Sequence, residues 1–140
     1  MFRVLGFEVS TRWRVASESV TTATATIDLR DNVLTFTAEG VGPIHALDRA
    51  LRGCLSSLYP TLGAVALTDY RVTVLETALG SAARVRVDID WSSGRRKWAT
   101  SGTSRNVIEA SWTAIADSVR YELERVAPAE ELELDESWAV

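Results

Sequence analysis

The pattern of apolar residues in this chain runs through the same change of period twice, and that repetition restricts the fold more than any other feature. In the first half, Ala23, Ala25, Ile27 and Leu29 alternate with Thr22, Thr24, Thr26 and Asp28. This is the period of a half-buried strand with β-branched residues on its wet face. Leu34, Phe36 and Ala38 resume the alternation after a tight turn at Asp31-Asn32. Ahead of both, Phe2 and Val4, Phe7 and Val9, and Trp13 and Val15 share parity within each pair. Gly6 shifts the phase, as a β-bulge does. The period then becomes helical. Ile44, Leu47, Leu51, Cys54, Leu55 and Leu58 form one stripe, opened by Gly42-Pro43 and closed by Tyr59-Pro60. Asp48 and Arg52, four apart, are assigned to the exposed side of that helix.

The second half repeats the order. Tyr70, Val72 and Val74 alternate, and Val85, Val87, Ile89 and Trp91 alternate with Arg84, Arg86, Asp88 and Asp90. Ser92-Ser93-Gly94 turns the chain into a strand from Arg96 to Thr103. Asn106 and Glu109 have capping-box spacing, followed by a stripe of Ile108, Trp112, Ile115, Val119 and Leu123, with Pro128 beyond. The order βββα-βββα predicts an α+β fold of two duplicated βββα units. Each is a three-stranded antiparallel sheet with one helix, and the two are related by a pseudo-two-fold. The units fall at about residues 2–60 and 63–127 of a domain spanning 1–127, and the acidic stretch 128–140 is expected to be a flexible tail. A single unit buries little, so the two should pack together, and their outer surfaces invite a second chain.

Composition narrows the functions open to such a fold. A length of 140 residues is enough for a core without disulfide or metal staples. A net charge of −4 argues against a nucleic-acid partner, and Arg84, Arg86, Arg95 and Arg96 read as a solvated strand face. The one cysteine, Cys54, lies on the apolar stripe and is expected to be a buried core thiol in a cytoplasmic protein. The N-terminus lacks the pattern of a signal peptide, and no apolar run approaches membrane-spanning length. There is one histidine, His45, and no carboxylate cluster has metal-ligand spacing, so no metal, cofactor or catalytic residue is expected. Asp88 and Asp90 share a strand face with arginines and read as a cross-strand ion-pair network. Gly40-Val41-Gly42 lacks the third glycine and the lysine of a phosphate-binding loop. Of the five tryptophans, Trp91, Trp98 and Trp112 fall at core-facing positions.

Three segments carry a resemblance. Gly40-Val41-Gly42-Pro43-Ile44-His45-Ala46-Leu47, Leu67-Thr68-Asp69-Tyr70-Arg71-Val72, and the run from Gly102 to Trp112 resemble three motifs of one known domain, in the same order and on the same elements. It is the C-terminal regulatory (allosteric, dimerisation) domain of the 2-isopropylmalate synthase/citramalate synthase family. The last two motifs are closest to the citramalate synthase branch. The likeness runs from about Phe7 to Arg125.

That resemblance implies a domain that follows a catalytic (β/α)8 barrel, forms a homodimer and binds a branched-chain amino acid, leucine or isoleucine, as feedback inhibitor. The barrel and its metal-binding histidines are absent from the sequence, so no catalysis is expected. Carried over by position, the implied effector pocket uses Ile44 and His45 after the Gly-Pro pair, with Leu67, Tyr70 and Val74 as one wall. Ala83 or Val85 follows the Leu79-Gly80-Ser81 turn, and Ser104 and Asn106 supply polar groups. Helix starts at Pro43 and Asn106 offer free N–H groups to a carboxylate. The family often has aspartate where this chain has His45, and a neutral imidazole pairs with a ligand ammonium less well. The resulting leading expectation is an amino-acid-sensing dimerisation domain. A ligand-free dimerisation module or partner subunit of a separate catalytic chain is the alternative. A remote third is an enzyme recruited onto the scaffold, with His45 and Tyr70 as acid–base groups.

Overall fold

In a computed structural model that describes residues 2–76, 80 and 82–125, the two halves fold as two copies of one unit. Strands β1 (Phe2–Arg12), β2 (Val20–Leu29) and β3 (Asn32–Gly40) form one antiparallel sheet in the order β1-β2-β3, and α1 (Pro43–Leu55) packs on it. After a 3-10 turn at Pro60–Ala64, β4 (Ala66–Val74), β5 (Val85–Ser92) and β6 (Lys97–Ser104) form the second sheet in the order β4-β5-β6, covered by α2 (Val107–Leu123). The duplicated α+β architecture read from the sequence is therefore the observed one. The acidic tail and the residues Leu79 and Ser81 lie outside the described residues.

The duplication extends to irregularities. The register of β1 on β2 slips between Val4 and Gly6, as Gly6 implied, and that of β4 on β5 slips between Leu67 and Asp69. Just past each slip, Phe7 stands opposite Ala25, and Tyr70 stands opposite Ile89. Val4 therefore corresponds to Leu67, Phe7 to Tyr70 and Val9 to Val72. Two boundaries differ from the sequence reading. The β2–β3 turn is Arg30-Asp31, not Asp31-Asn32. Both take left-handed backbone (φ 51° and 65°), as a two-residue hairpin turn requires, while Asn32 already pairs with Leu29. Strand β6 begins at Lys97, because the Arg96 carbonyl closes the preceding loop by accepting from the Ser93 N–H at 2.9 Å.

One core joins the units. Ala23, Ala25 and Ile27 of β2, Val87, Ile89 and Trp91 of β5, and Leu47, Leu51, Leu55, Ile115 and Val119 of the helices are all buried in it. The small side chains of β2 let α1 approach closely. Gly40 and Gly102, at the ends of β3 and β6, take this further: a Cβ there would run into the backbone of Ala46 or Ala110. Each helix also reaches the other unit. The Phe7 ring stacks on Trp112 at 4.8 Å between centroids, and the Arg120 guanidinium lies 4.7 Å from the Phe2 ring. In the other direction Arg52 of α1 lies 5.2 Å from the centroid of Trp91.

That contact corrects the placement of Asp48 and Arg52. They are not on the exposed face: their side chains are only 16% and 11% exposed, and they form a 2.8 Å ion pair packed towards the second unit. Helical spacing found the pair, but only the packing of α1 on a second sheet reveals which way it faces. Cys54 is buried as expected, and that burial pushes its thiol above the ordinary range. Trp91 and Trp112 are buried, and Trp98 is half-buried, stacked on Tyr121 and donating from Nε1 to Ser118 Oγ at 3.0 Å. Trp13 lies beyond the end of β1 and is exposed. The outer face of the second sheet carries the expected ion pairs, with Arg71 bonded to Asp69 and Asp90 and Arg86 to Asp88. Hydrogen bonds from Arg71 hold the Asp90 carboxyl below its usual range.

Candidate functional site

Equivalent ends of the two units hold most of the residues with ligand-binding chemistry, because each third strand delivers the chain to a helix start there. At α2, the Asn106 side chain caps the helix, accepting from the N–H groups of Ile108 (2.8 Å) and Glu109 (3.3 Å). The expected return bond from Glu109 is replaced. The Asn106 N–H donates instead to Ser104 Oγ at 3.1 Å. At α1 the cap position is Gly42, which has no side chain to offer. The third helical residue, His45, reaches back, and its Nδ1 accepts from the Val41 N–H at 3.0 Å. An accepting Nδ1 puts the proton of the neutral ring on Nε2.

His45 lines an open cleft of about 590 Å³. The other walls are Glu39, Gly40 and Val41 from the end of β3 and its turn, Arg49 one helical turn on, and Glu18, Ser19 and Val20 at the start of β2. Arg49 is held against the strand by a 2.8 Å bond from Nη1 to the Glu39 carbonyl. The sequence reading named only His45 here. Arg49 and Glu39 were within reach of it, being on the same helix face or the adjoining strand end. Glu18 to Val20 arrive only through the pairing of Thr21 with Gly40, which requires the register.

At the corresponding end of the second unit, Val74, Val85 and Ser104 occupy one rung across β4, β5 and β6. Ala83 is buried just ahead of β5, and Asn106 follows Ser104. Val72, Val74 and Leu75 are about half exposed, as is Val107 in the first turn of α2, so the helix leaves an apolar strip of β4 uncovered. Tyr70 is half-buried further along β4, its hydroxyl 3.0 Å from Ser111 Oγ. Ser111 donates to the Val107 carbonyl at 2.7 Å, which leaves it accepting from Tyr70. Leu67 lies apart, on the rung of Trp91 and Trp98, roughly 20 Å along the strand from Val74.

The structure thus brings Val74, Ala83, Val85, Ser104 and Asn106 to one end of the second unit. It places Ile44 and His45 at the equivalent end of the first, Tyr70 between the ends of β4, and Leu67 away from both groups. His45 and Tyr70 belong to different units. Among the described residues no group of three His, Cys, Asp or Glu side chains could hold a metal ion, and no helix is long and apolar enough to cross a membrane.

Fold and site together define a duplicated α+β module with an uncovered apolar strand and a ligand-sized cleft at the start of its first helix. Residues 2–123 match the family model of the LeuA allosteric (dimerisation) domain, and the chain belongs to that family. It is 48% identical over 108 residues to an (R)-citramalate synthase of Aquifex aeolicus, covering 76% of this chain and 20% of that protein. It is 42% identical over 132 residues to the (R)-citramalate synthase of Streptomyces coelicolor (89% of this chain, 24% of that protein). A third relative, the (R)-citramalate synthase of Geobacter sulfurreducens, is 38% identical over 133 residues, covering 94% and 25%. The chain therefore spans a quarter or less of these relatives' length, and its described residues form no catalytic barrel.

Proposed function

We propose that this chain is an amino-acid-binding, dimer-forming regulatory domain of the citramalate synthase type, working in the cytoplasm on a catalytic barrel. The observation that carries the reading is the family match over nearly all the described residues, joined to a cleft lined by His45 at the start of α1. The ligand is a branched-chain amino acid, leucine or isoleucine. Such a molecule needs an apolar slot and a few placed polar groups for its charged ends. Candidate groups are Ile44 and His45 in the first unit and Tyr70, Val74, Ala83, Val85, Ser104 and Asn106 in the second, with Leu67 as an outer wall. The exposed Val72, Val74 and Leu75 support a homodimer, because an apolar strip of this kind is lost from water on assembly. Ligand bound near that interface would act by favouring one dimer arrangement over another.

Calorimetric titration with leucine, isoleucine and valine, with mass measured by light scattering, tests the reading. Saturable binding of one of them to a dimer supports it; a dimer that binds none refutes the sensing role. One observation favours a second reading, a ligand-free dimerisation module or partner subunit. The residues proposed for one pocket are divided between the two units, and Leu67 stands apart from both groups. That reading expects a ligand-independent dimer that co-purifies with a barrel protein.

A further inference from the structure

The His45 ring is locked in one orientation by a backbone donor, and this decides which end of a ligand it can hold. We propose that the cleft at the start of α1 binds a zwitterion in a fixed sense. His45 Nε2–H and the Arg49 guanidinium take its carboxylate, Glu18 and Glu39 take its ammonium, and Val20 and Val41 meet its apolar side chain. The inference rests on the effector reading above and adds the polarity of the site and five residues to it.

The chain enters α1 through Gly42, which has no side chain, and the Val41 N–H just ahead of it donates to His45 Nδ1 at 3.0 Å. With Nδ1 occupied as acceptor, the ring has only a donor left to present, at Nε2. A donor suits a carboxylate and repels an ammonium, whose hydrogens are also donors. Arg49 adds charge of the matching sign: one of its five N–H groups is used on the Glu39 carbonyl, and the others remain for a ligand in the same cleft. The lining carries both signs. Its two carboxylates and one guanidinium leave one negative charge over, so a ligand with only a carboxylate meets net repulsion, and only a ligand with both charged ends sets an opposite charge against each sign. The exposed Val20 and Val41 supply the only aliphatic surface of the lining.

Two substitutions separate the roles of the two ring nitrogens. His45→Asn keeps an acceptor near the Nδ1 position for the Val41 N–H and removes the outer donor. His45→Gln keeps a donor near the Nε2 position. The full chain is titrated with L-isoleucine, L-leucine, the carboxylate-only analogue 3-methyl-2-oxopentanoate and the ammonium-only analogue 2-methylbutylamine, with melting temperatures recorded for each variant. The expected result is that His45→Asn melts like the wild type but binds the amino acid about tenfold more weakly, the loss typical of a hydrogen bond to a charged group. His45→Gln retains most of the affinity. Glu18→Gln weakens the amino acid without weakening the keto acid. Nitrogen chemical shifts of the imidazole should show the Nε2–H form in the free protein and a change at Nε2 on binding. Amino-acid binding that is indifferent to His45→Asn, Arg49→Gln and Glu18→Gln overturns this inference and leaves the effector reading standing. No binding of either amino acid to the wild type overturns the effector reading itself, and this one with it.

Discussion

Replacing Arg52 by methionine should destabilise the domain far more than loss of a surface charge would, and the amount follows from what the guanidinium touches. Its Nε donates to Asp48 Oδ1 at 2.8 Å, its Nη1 donates to the Leu62 carbonyl at 3.3 Å, and its face lies 5.2 Å from the centroid of Trp91. A hydrogen bond to a charged group contributes about 1.5–3 kcal/mol and a partly desolvated cation–π contact about 1 kcal/mol. Removing one partner of a buried pair costs about 3–5 kcal/mol, because the other charge is left unpaired. Asp48 keeps a little solvent, so the lower end, about 3 kcal/mol, is expected. That is a large part of a typical domain's stability and corresponds to a fall in Tm of roughly 10 °C.

The loss should also depend on pH in a known direction. Burial raises the Asp48 carboxyl above its ordinary value, with Arg52 the main opposing influence and His45 a lesser one. A carboxyl raised on folding favours the protonated state. Its penalty is absent below the unfolded value and grows as pH rises through the folded one. Without Arg52 the upward push is less opposed, so the deficit of Arg52→Met should be full at neutral pH and shrink on acidification as Asp48 takes up a proton. Urea unfolding at neutral and mildly acid pH measures both effects. The double variant Asp48→Leu/Arg52→Met should recover most of the stability, since a buried pair replaced by apolar groups is often neutral. A single-variant loss below about 1 kcal/mol, or a double variant no better than the single, would refute the reasoning.

Other outcomes follow from particular contacts. Gly102→Ala and Gly40→Ala should each lose about 2 kcal/mol or more in chemical denaturation, because the added Cβ meets helix backbone that cannot step aside. Gly53→Ala is a control with a different expectation: its Cβ meets the half-exposed Phe36 ring, which can turn away, and the gain in helix propensity of about 1 kcal/mol offsets the cost. Asn106→Ala should cost about 1 kcal/mol through loss of the α2 cap, while Glu109→Ala costs less, since Glu109 does not make the return bond. Cys54 should react with thiol reagents at a rate that follows global unfolding, because its thiol is buried and pushed up by that burial; fast labelling of the native protein would contradict its placement.

The fold was legible because the determining signals are local and periodic. The alternation in β2 and β5, the helical stripes and the shift at Gly6 each appear within a dozen residues, and the second copy checks the first. What escaped the sequence depends on contacts between distant segments. Asp48 and Arg52 are four apart on a helix, a spacing that suits a solvated pair equally well. Only the approach of α1 to Trp91 makes it a buried one. The cleft was half legible for the same reason. His45, Glu39 and Arg49 are neighbours along the chain, whereas Glu18 and Val20 join them through a strand register that composition does not encode. The turn at Arg30-Asp31 was missed by one residue, because asparagine and aspartate both favour turns and only the pairing of Leu29 with Asn32 sets the frame.

The two helix starts show how duplicated units come to differ in chemistry while keeping one backbone. Each has a close glycine approach from its third strand, at Gly40 and Gly102, and each must satisfy free N–H groups at the same end. In the second unit Asn106 Oδ1 and Ser104 Oγ accept at the helix start, which leaves the Asn106 amide N–H groups and the Ser104 O–H. In the first unit Gly42 cannot cap, and His45 reaches back past it to accept from the Val41 N–H, with a second ring nitrogen to spare. The position equivalent to His45 is Glu109, the third residue of its own helix, whose N–H donates to Asn106 but whose side chain makes no return bond at the cap. The same contrast holds one turn further on. Where α2 sends Trp112 across to stack on Phe7, α1 carries Asp48, bonded to the Arg52 that lies over Trp91. The apolar crossing contributes stability, whereas a buried ion pair is often near neutral against an apolar replacement of similar volume. The pseudo-symmetry is thus broken on both counts in the first unit. The first helix start puts His45 in a cleft, and the buried ion pair lies one turn further along the same helix.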